Sequence, residues 1–363
     1  MNKDNRNALL SELYEFQYGT GNTIENIGGD YPIYGSNGAV GFTNIFNSED
    51  APVIGHIGAY AGIVNWASGK HYVTYNGVIC KIKQGINPRY GYYVLLNSKL
   101  QKRLRGSTQP FISYDLLDDV KVYLPEKPTQ DNIASVLSSL DYKIELNNRI
   151  NAELEAMAKT LYDYWFVQFD FPDKNGKPYK TNGGKMVWNE ELKREIPEGW
   201  EDGTFENYCP STGGFAFKST WWTDKGVAVA KIKDIQEDYS LDTSDLARVD
   251  ISDKEIDDKF LAKPGDVLIA MTGATVGKYA IVPITDYPIY VNQRVGYFNL
   301  GVDPTQKLPF LINSMNQSYF RNAIFTLANG AAQPNISNEQ INSIQLLIPE
   351  VKLINTFNQM FQP

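Results

Sequence analysis

Gly273-Ala274-Thr275-Val276-Gly277-Lys278-Tyr279 has the glycines and lysine of a phosphate-cradling loop. It fails as one, because a residue is missing between the glycines and Tyr279 stands where a Ser or Thr hydroxyl must reach magnesium. Asp173, Glu191 and Lys193 have the acid and lysine content of a metal-dependent nuclease, whose carboxylates must converge on one ion from adjacent strands. The Gly-, Asn- and Pro-rich residues between them read as successive turns instead. A methyltransferase acting on a base amine needs an Asn- or Asp-Pro-Pro-aromatic segment to clamp the flipped base, and none occurs. Gly-x-Ser-x-Gly is absent as well. The only histidines, His56 and His71, stand in no recognisable catalytic pairing, and His56, beside Gly55 on an apolar run, reads as a structural histidine. Two distant cysteines, Cys80 and Cys209, suit neither a disulfide framework nor a zinc site. The chain reads as one that binds rather than catalyses, with no catalytic residue, no metal and no cofactor of its own.

The scaffold that must position any binding residues is large. With 363 residues, 42% hydrophobic and 21% charged, the chain has room for two ordinary globular domains. It has no apolar run long enough to span a membrane and no apolar core after its polar opening, so no membrane partner and a cytoplasmic location are expected. The net charge of -8 argues against indiscriminate nucleic-acid binding. A local basic face remains compatible with it: Lys99, Lys102, Arg103 and Arg105 form a short basic run ahead of a Gly-rich loop.

The chain is internally repeated. Gly106-Ser107-Thr108-Gln109-Pro110-Phe111-Ile112-Ser113 returns as Gly330-Ala331-Ala332-Gln333-Pro334-Asn335-Ile336-Ser337, and Leu124-Pro125 returns at the same offset of 224 as Ile348-Pro349. Val53-Ile54 with Gly58 and Gly62 corresponds to Leu268-Ile269 with Gly273 and Gly277 at an offset of 215. Between the copies, Ile133, Leu137, Leu140, Ile144, Asn147, Asn151, Leu154, Ala158, Leu161 and Trp165 alternate steps of four and three, the spacing of a coiled-coil seam. Such a seam can also pair with a second copy of the chain. The expected fold is α+β: two similar β-rich domains, residues 1–127 and 200–349, joined by a helix over 128–168 and a turn-rich connector over 169–199. Helical pieces are expected near 90–104 and 309–327. By the repeat, a second long helix starts near Glu350, with Val351, Ile354 and Phe357 on one face, and is cut short at Pro363.

The duplicated lobes, the Gly-x-x-Gln-Pro-x-Ile-Ser motif and the run from Asn148-Arg149-Ile150-Asn151 to Leu161-Tyr162-Asp163-Tyr164-Trp165-Phe166 resemble the specificity subunit of type I restriction-modification enzymes. Tyr34-Gly35-Ser36-Asn37-Gly38, Asp170-Phe171-Pro172-Asp173 through Pro197-Glu198-Gly199-Trp200, and Gly214-Phe215-Ala216-Phe217-Lys218-Ser219 add to the likeness. The resemblance implies two target-recognition domains, each reading half of a bipartite target in double-stranded DNA, held apart by paired long helices. It also implies partners. A modification (methyltransferase) subunit would hold S-adenosylmethionine, and a restriction subunit would use ATP and magnesium. The shortened second helix departs from the family pattern and leaves open a non-productive relative that binds DNA or sequesters modification subunits.

Base edges are read by side chains that make paired hydrogen bonds, Arg or Lys to guanine and Asn or Gln to adenine. By residue type and loop position, the candidates in the first lobe are Ser36, Asn37, Lys70 with its neighbour His71, Arg103, Arg105 and Gln109. In the second they are Lys218, Thr220, Thr272, Lys278, Asn292, Gln293, Arg294 and Gln333. Gln109 and Gln333, present in both copies, fit a shared positioning task better than sequence reading. Specificity should reside in what the lobes do not share.

Overall fold

The computed structural model describes residues 6–21, 28–328 and 334–361. The chain divides into two compact units, residues 1–150 and 151–363, with the boundary inside one long helix.

The first unit opens with β1 (Arg6–Leu9), a one-turn helix α1 (Leu10–Leu13) and β2 (Tyr14–Tyr18). Strands β3 (Tyr31–Gly35), β4 (Gly38–Thr43), β5 (Ser48–Gly55), β6 (Val64–Val73) and β7 (Gly77–Ile82) follow. Their sheet order is β2-β7-β5-β6-β3-β4, antiparallel except for the parallel pair β3 and β6. Helix α2 (Pro88–Asn97) starts where Asn87 accepts hydrogen bonds from the backbone of Arg89 and Tyr90, with Pro88 pre-set for the first turn. After α3 (Tyr114–Asp118), β8 (Lys121–Leu124) returns to pair with β1. Leu10, Leu13, Tyr14, Ile54, Val78, Leu95 and Leu117 form the core.

Helix α4 (Lys127–Tyr162) runs 36 residues, about 54 Å at 1.5 Å per residue, and ends in a wider turn over Asp163–Val167. Its start is tied to the first unit. The buried Gln130 accepts from Asn87 N and donates to the Pro125 carbonyl, while the Tyr93 hydroxyl donates to Asp141 Oδ2 at 2.6 Å. Its end enters the second unit's core, where Tyr162, Trp165 and Phe166 pack among Trp200, Phe310 and Phe357. The heptad seam is therefore covered only at its ends: Leu140, Ile144 and Leu154 are exposed.

In the second unit the connector carries turns and a hairpin of β9 (Met186–Asn189) with β10 (Arg194–Pro197). Next come β11 (Glu201–Thr204), α5 (Phe205–Tyr208), β12 (Ser211–Gly213), β13 (Trp222–Thr223), β14 (Val227–Ala230) and β15 (Ala247–Val249). Strands β16 (Leu261–Ala262), β17 (Val267–Ala270), β18 (Tyr279–Ile281), β19 (Ile289–Val291) and β20 (Val295–Phe298) complete two sheets, ordered β12-β20-β17-β18 and β13-β15-β14-β19-β16. Helices α6 (Leu308–Met315), α7 (Ser318–Ala328) and α8 (Asn338–Asn342) precede β21 (Gln345–Ile348), which pairs with β11 as β8 pairs with β1. The parallel pair β14 and β19 repeats that of β3 and β6.

Helix α9 (Val351–Gln359) follows Glu350, as the repeat requires. Its buried face is Ile354, Phe357 and Asn358, whereas Val351 in its first turn is 71% exposed. Asn358 clasps α6, accepting from Phe310 N at 2.9 Å and donating to the Gln306 carbonyl at 2.6 Å. Because Phe357 sits fully buried among Tyr162, Trp165 and Phe166, Phe357→Ala should cost about 3–5 kcal/mol. Urea unfolding followed by tryptophan fluorescence checks this; a loss below about 1 kcal/mol would mean that the cluster does not anchor the helix.

Candidate nucleic-acid interface

The internal repeat is a repeat of backbone hydrogen bonds. In the first unit Gly58 N donates to the Pro110 carbonyl (2.8 Å) and Ile112 N to that of His56 (2.9 Å). His56 N in turn donates to the carbonyl of Asn76 (2.8 Å), and Gly77 N closes the Thr74–Asn76 turn onto the Thr74 carbonyl (2.9 Å). In the second unit Gly273 N donates to Pro334, Ile336 N to Met271, Met271 N to Arg294 and Val295 N to Asn292, at 2.8 to 3.1 Å. Three segments distant in sequence thus meet in each unit: the loop after β5 or β17, the turn between β6 and β7 or β19 and β20, and the Gln-Pro segment.

Two glycines make the close approach feasible. A methyl group on Gly19 would collide with the carbonyl oxygens of Val73 and Thr74, and one on Gly214 with those of Val291 and Asn292. Their amides donate to the Gly77 and Val295 carbonyls, so both glycines brace the same turn from behind.

The first-lobe candidates separate into two groups. Ser36 sits inside the convergence, its Oγ donating to the carbonyls of Ile57 (2.8 Å) and Asn76 (2.7 Å), so its hydroxyl serves as a clasp. Asn37 is exposed in the β3–β4 turn beside it. Gln109 is exposed in a loop closed by the reciprocal backbone bonds of Arg105 and Phe111 (3.0 and 2.8 Å). The basic run carries its own counter-charges: Arg103 pairs with Asp119 and Arg105 with Asp115, each at 2.7 Å. Lys70 stands apart, at the far end of the β5–β6 ladder from Gly55, with its ammonium over the Phe46 ring.

In the second lobe Asn292, Gln293 and Arg294 form the turn itself, and the exposed Arg294 has no ion-pair partner among the described residues. The Asn292 carboxamide oxygen accepts from Arg294 N and stiffens the turn. Thr272 is buried, its backbone paired with Asn335. Lys278 is held by Glu237 at 2.8 Å. Lys218 and Thr220 are exposed at a short helical turn, Lys218 lying over Trp221. Gln333 lies outside the described residues.

Sequence reasoning missed Thr74, Tyr75 and Asn76, the counterparts of Asn292, Gln293 and Arg294. A signal existed: Tyr72-Val73 recurs as Tyr290-Val291 at an offset of 218, immediately before each turn. The nuclease-like residues do not assemble a metal site. Asp173 Oδ1 accepts from the backbone of Asn175 and Lys177 within a turn, and no cluster of metal-ligating side chains occurs among the described residues.

Residues 10–156 match the family model described as the type I restriction modification DNA specificity domain. Over 291 residues, 77% of this chain, it is 22% identical to the type I restriction enzyme MjaIX specificity subunit of Methanocaldococcus jannaschii. Over 315 residues, 72% of the chain, it is 24% identical to the HindI specificity subunit of Haemophilus influenzae. These matches span 63% and 66% of the relatives' own lengths. The fold is similar to that of the type I restriction-modification S subunit from M. genitalium, with a TM-score of 0.60 at 15% identity over 99% of this chain and 89% of that one. The resemblance seen in the motifs is borne out, and so is the α+β class with its long helix.

Both histidines are structural. His56 Nδ1 meets the Tyr75 carbonyl at 3.1 Å, and its ring packs on Tyr18 and Tyr75. His71 is fully buried, with Nδ1 2.8 Å from the Gly69 carbonyl, so Nδ1 carries the proton. Its Nε2 has no partner, and burial holds its pKa below the usual histidine value. A depressed folded-state pKa means that the unfolded chain takes up the proton first as pH falls. His71 should therefore leave stability intact above about pH 6.5 and diminish it as pH falls from there through the lowered folded pKa. Paired urea titrations at pH 7.5 and 5.5 should show a larger loss for the wild type than for His71→Gln; equal losses would remove His71 as the cause.

Proposed function

We propose that this chain, which carries a type I restriction-modification DNA specificity domain and resembles the specificity subunits over most of its length, reads a bipartite target in double-stranded DNA. The observation that carries the reading is one backbone scaffold built twice with different side chains at its turn: the exposed Tyr75 and half-buried Asn76 in one copy, the exposed Gln293 and Arg294 in the other. A shared framework with unshared tips is what two different half-sites require, since framework contacts position and base-edge contacts specify.

In this reading the chain is a non-catalytic, cytoplasmic subunit. No helix among the described residues is long and apolar enough to cross a membrane. The methyl donor S-adenosylmethionine belongs to a modification subunit, and ATP and magnesium to a restriction subunit. The exposed middle of α4 supports the docking of a modification subunit there, because Leu140, Ile144, Leu154 and Met157 leave an apolar strip uncovered, each more than half exposed. The same strip serves a second reading, self-association of two copies through α4.

Methylation sequencing of DNA from cells producing the chain with its modification subunit should reveal methylated adenines in a split motif; none, with the complex assembled, would overturn the proposal. Arg294→Ala should relax one base position in one half-site by about 1–3 kcal/mol, read as competition between site variants. Ile144→Asp with Leu154→Asp should release the modification subunit on a sizing column while circular dichroism stays unchanged. Retention of the complex would place docking elsewhere.

A further inference from the structure

We infer that the turn Thr74–Asn76 is the sequence-reading element of the first unit, with Asn76 contacting a base edge as the counterpart of Arg294. The inference rests on the proposed DNA-reading function and assigns residues within it.

The equivalence is geometric. The carbonyls of Asn76 and Arg294 each accept from the residue that directly follows β5 or β17, His56 N at 2.8 Å and Met271 N at 3.1 Å. The first turn residues, Thr74 and Asn292, each donate through N–H to the strand running parallel beside them, to Tyr34 and Ala230 at 3.0 and 3.1 Å. Positions 76 and 294 therefore occupy one place in two copies of a single framework.

Asn76 is pinned by its backbone and free at its tip. Its carbonyl accepts from both His56 N and Ser36 Oγ, which fixes the Cα position from two sides. Its carboxamide has no hydrogen-bond partner among the described residues, although the residue is half-buried. Next to it, the Tyr75 ring is 46% exposed and propped against His56 and Tyr18, and Gly77 follows directly. A rigid backbone bearing an unpaired carboxamide suits a base edge, because the backbone that carries it has no freedom left to lose on contact and only the side-chain rotamers must be ordered. A carboxamide presents a donor N–H and an acceptor oxygen side by side, the pattern complementary to adenine, whereas the guanidinium at position 294 matches guanine. The two units would thus read different bases from the same place.

The test uses the full chain with its modification subunit and a duplex DNA library randomised across both half-sites, selected by binding and sequenced. Wild type should enrich a split motif. Asn76→Ala should lose about tenfold or more of the preference at one base pair in one half and leave the other half unchanged. Asn76→Arg should move the preference at that base pair to guanine. A purely structural role would instead weaken binding to every sequence alike, and that result, or an unchanged motif in both variants, would overturn the inference. A wild type that enriches no split motif would sink the proposed function itself.

Discussion

The rest of this molecule depends on one hydrogen bond made twice: the glycine N–H of the loop after β5, or after β17, donating to the proline carbonyl of the Gln-Pro segment. Each joins parts of the chain some fifty residues or more apart and holds a loop that would otherwise stray over the surface. With the partner bond from Ile112 or Ile336, it makes a short piece of ladder outside the main sheets. Because the bond uses only backbone atoms, the side chains at the tips are free to differ. This explains why the motif glycines and prolines recur between copies while Tyr75, Asn76, Gln293 and Arg294 do not.

Helix α4 is anchored by different means at its two ends. Its start is held by polar bonds from Gln130 and Asp141, and its end by rings packed around Phe357 and Phe310. Tertiary packing fixes the two ends, and the helix continues between them through an uncovered middle that mixes strong helix formers such as Leu146 and Glu145 with weak ones such as Asn147, Asn148 and Asn151. The result is a helix whose Leu140, Ile144 and Leu154 side chains stay exposed.

Charge is largely balanced within the fold. The acidic chain balances Arg103, Arg105 and Lys278 with nearby carboxylates, so much of its positive charge is spoken for within the fold. Arg294, by contrast, stands exposed at its turn with no ion-pair partner among the described residues.

The sequence by itself determined the duplication, the long helix, the α+β class and the family likeness, because each leaves a periodic or motif-length trace in residue order. Helical spacing over 133–165 and the Gly-x-x-Gln-Pro repeat survive as patterns whatever the chain packs against. Only the tertiary structure decided which polar residues are available. Thr272 and Ser36 look like surface readers by type, yet one is buried and the other spends its hydroxyl on two carbonyls. Asn76 and Arg294 differ in residue type, and beyond the Tyr-Val pair that precedes each turn their equivalence is carried by a matching hydrogen-bond pattern between strands distant in sequence. Residue order records local preference, whereas the partner of a carbonyl or a guanidinium is settled by what the fold brings to it from elsewhere in the chain.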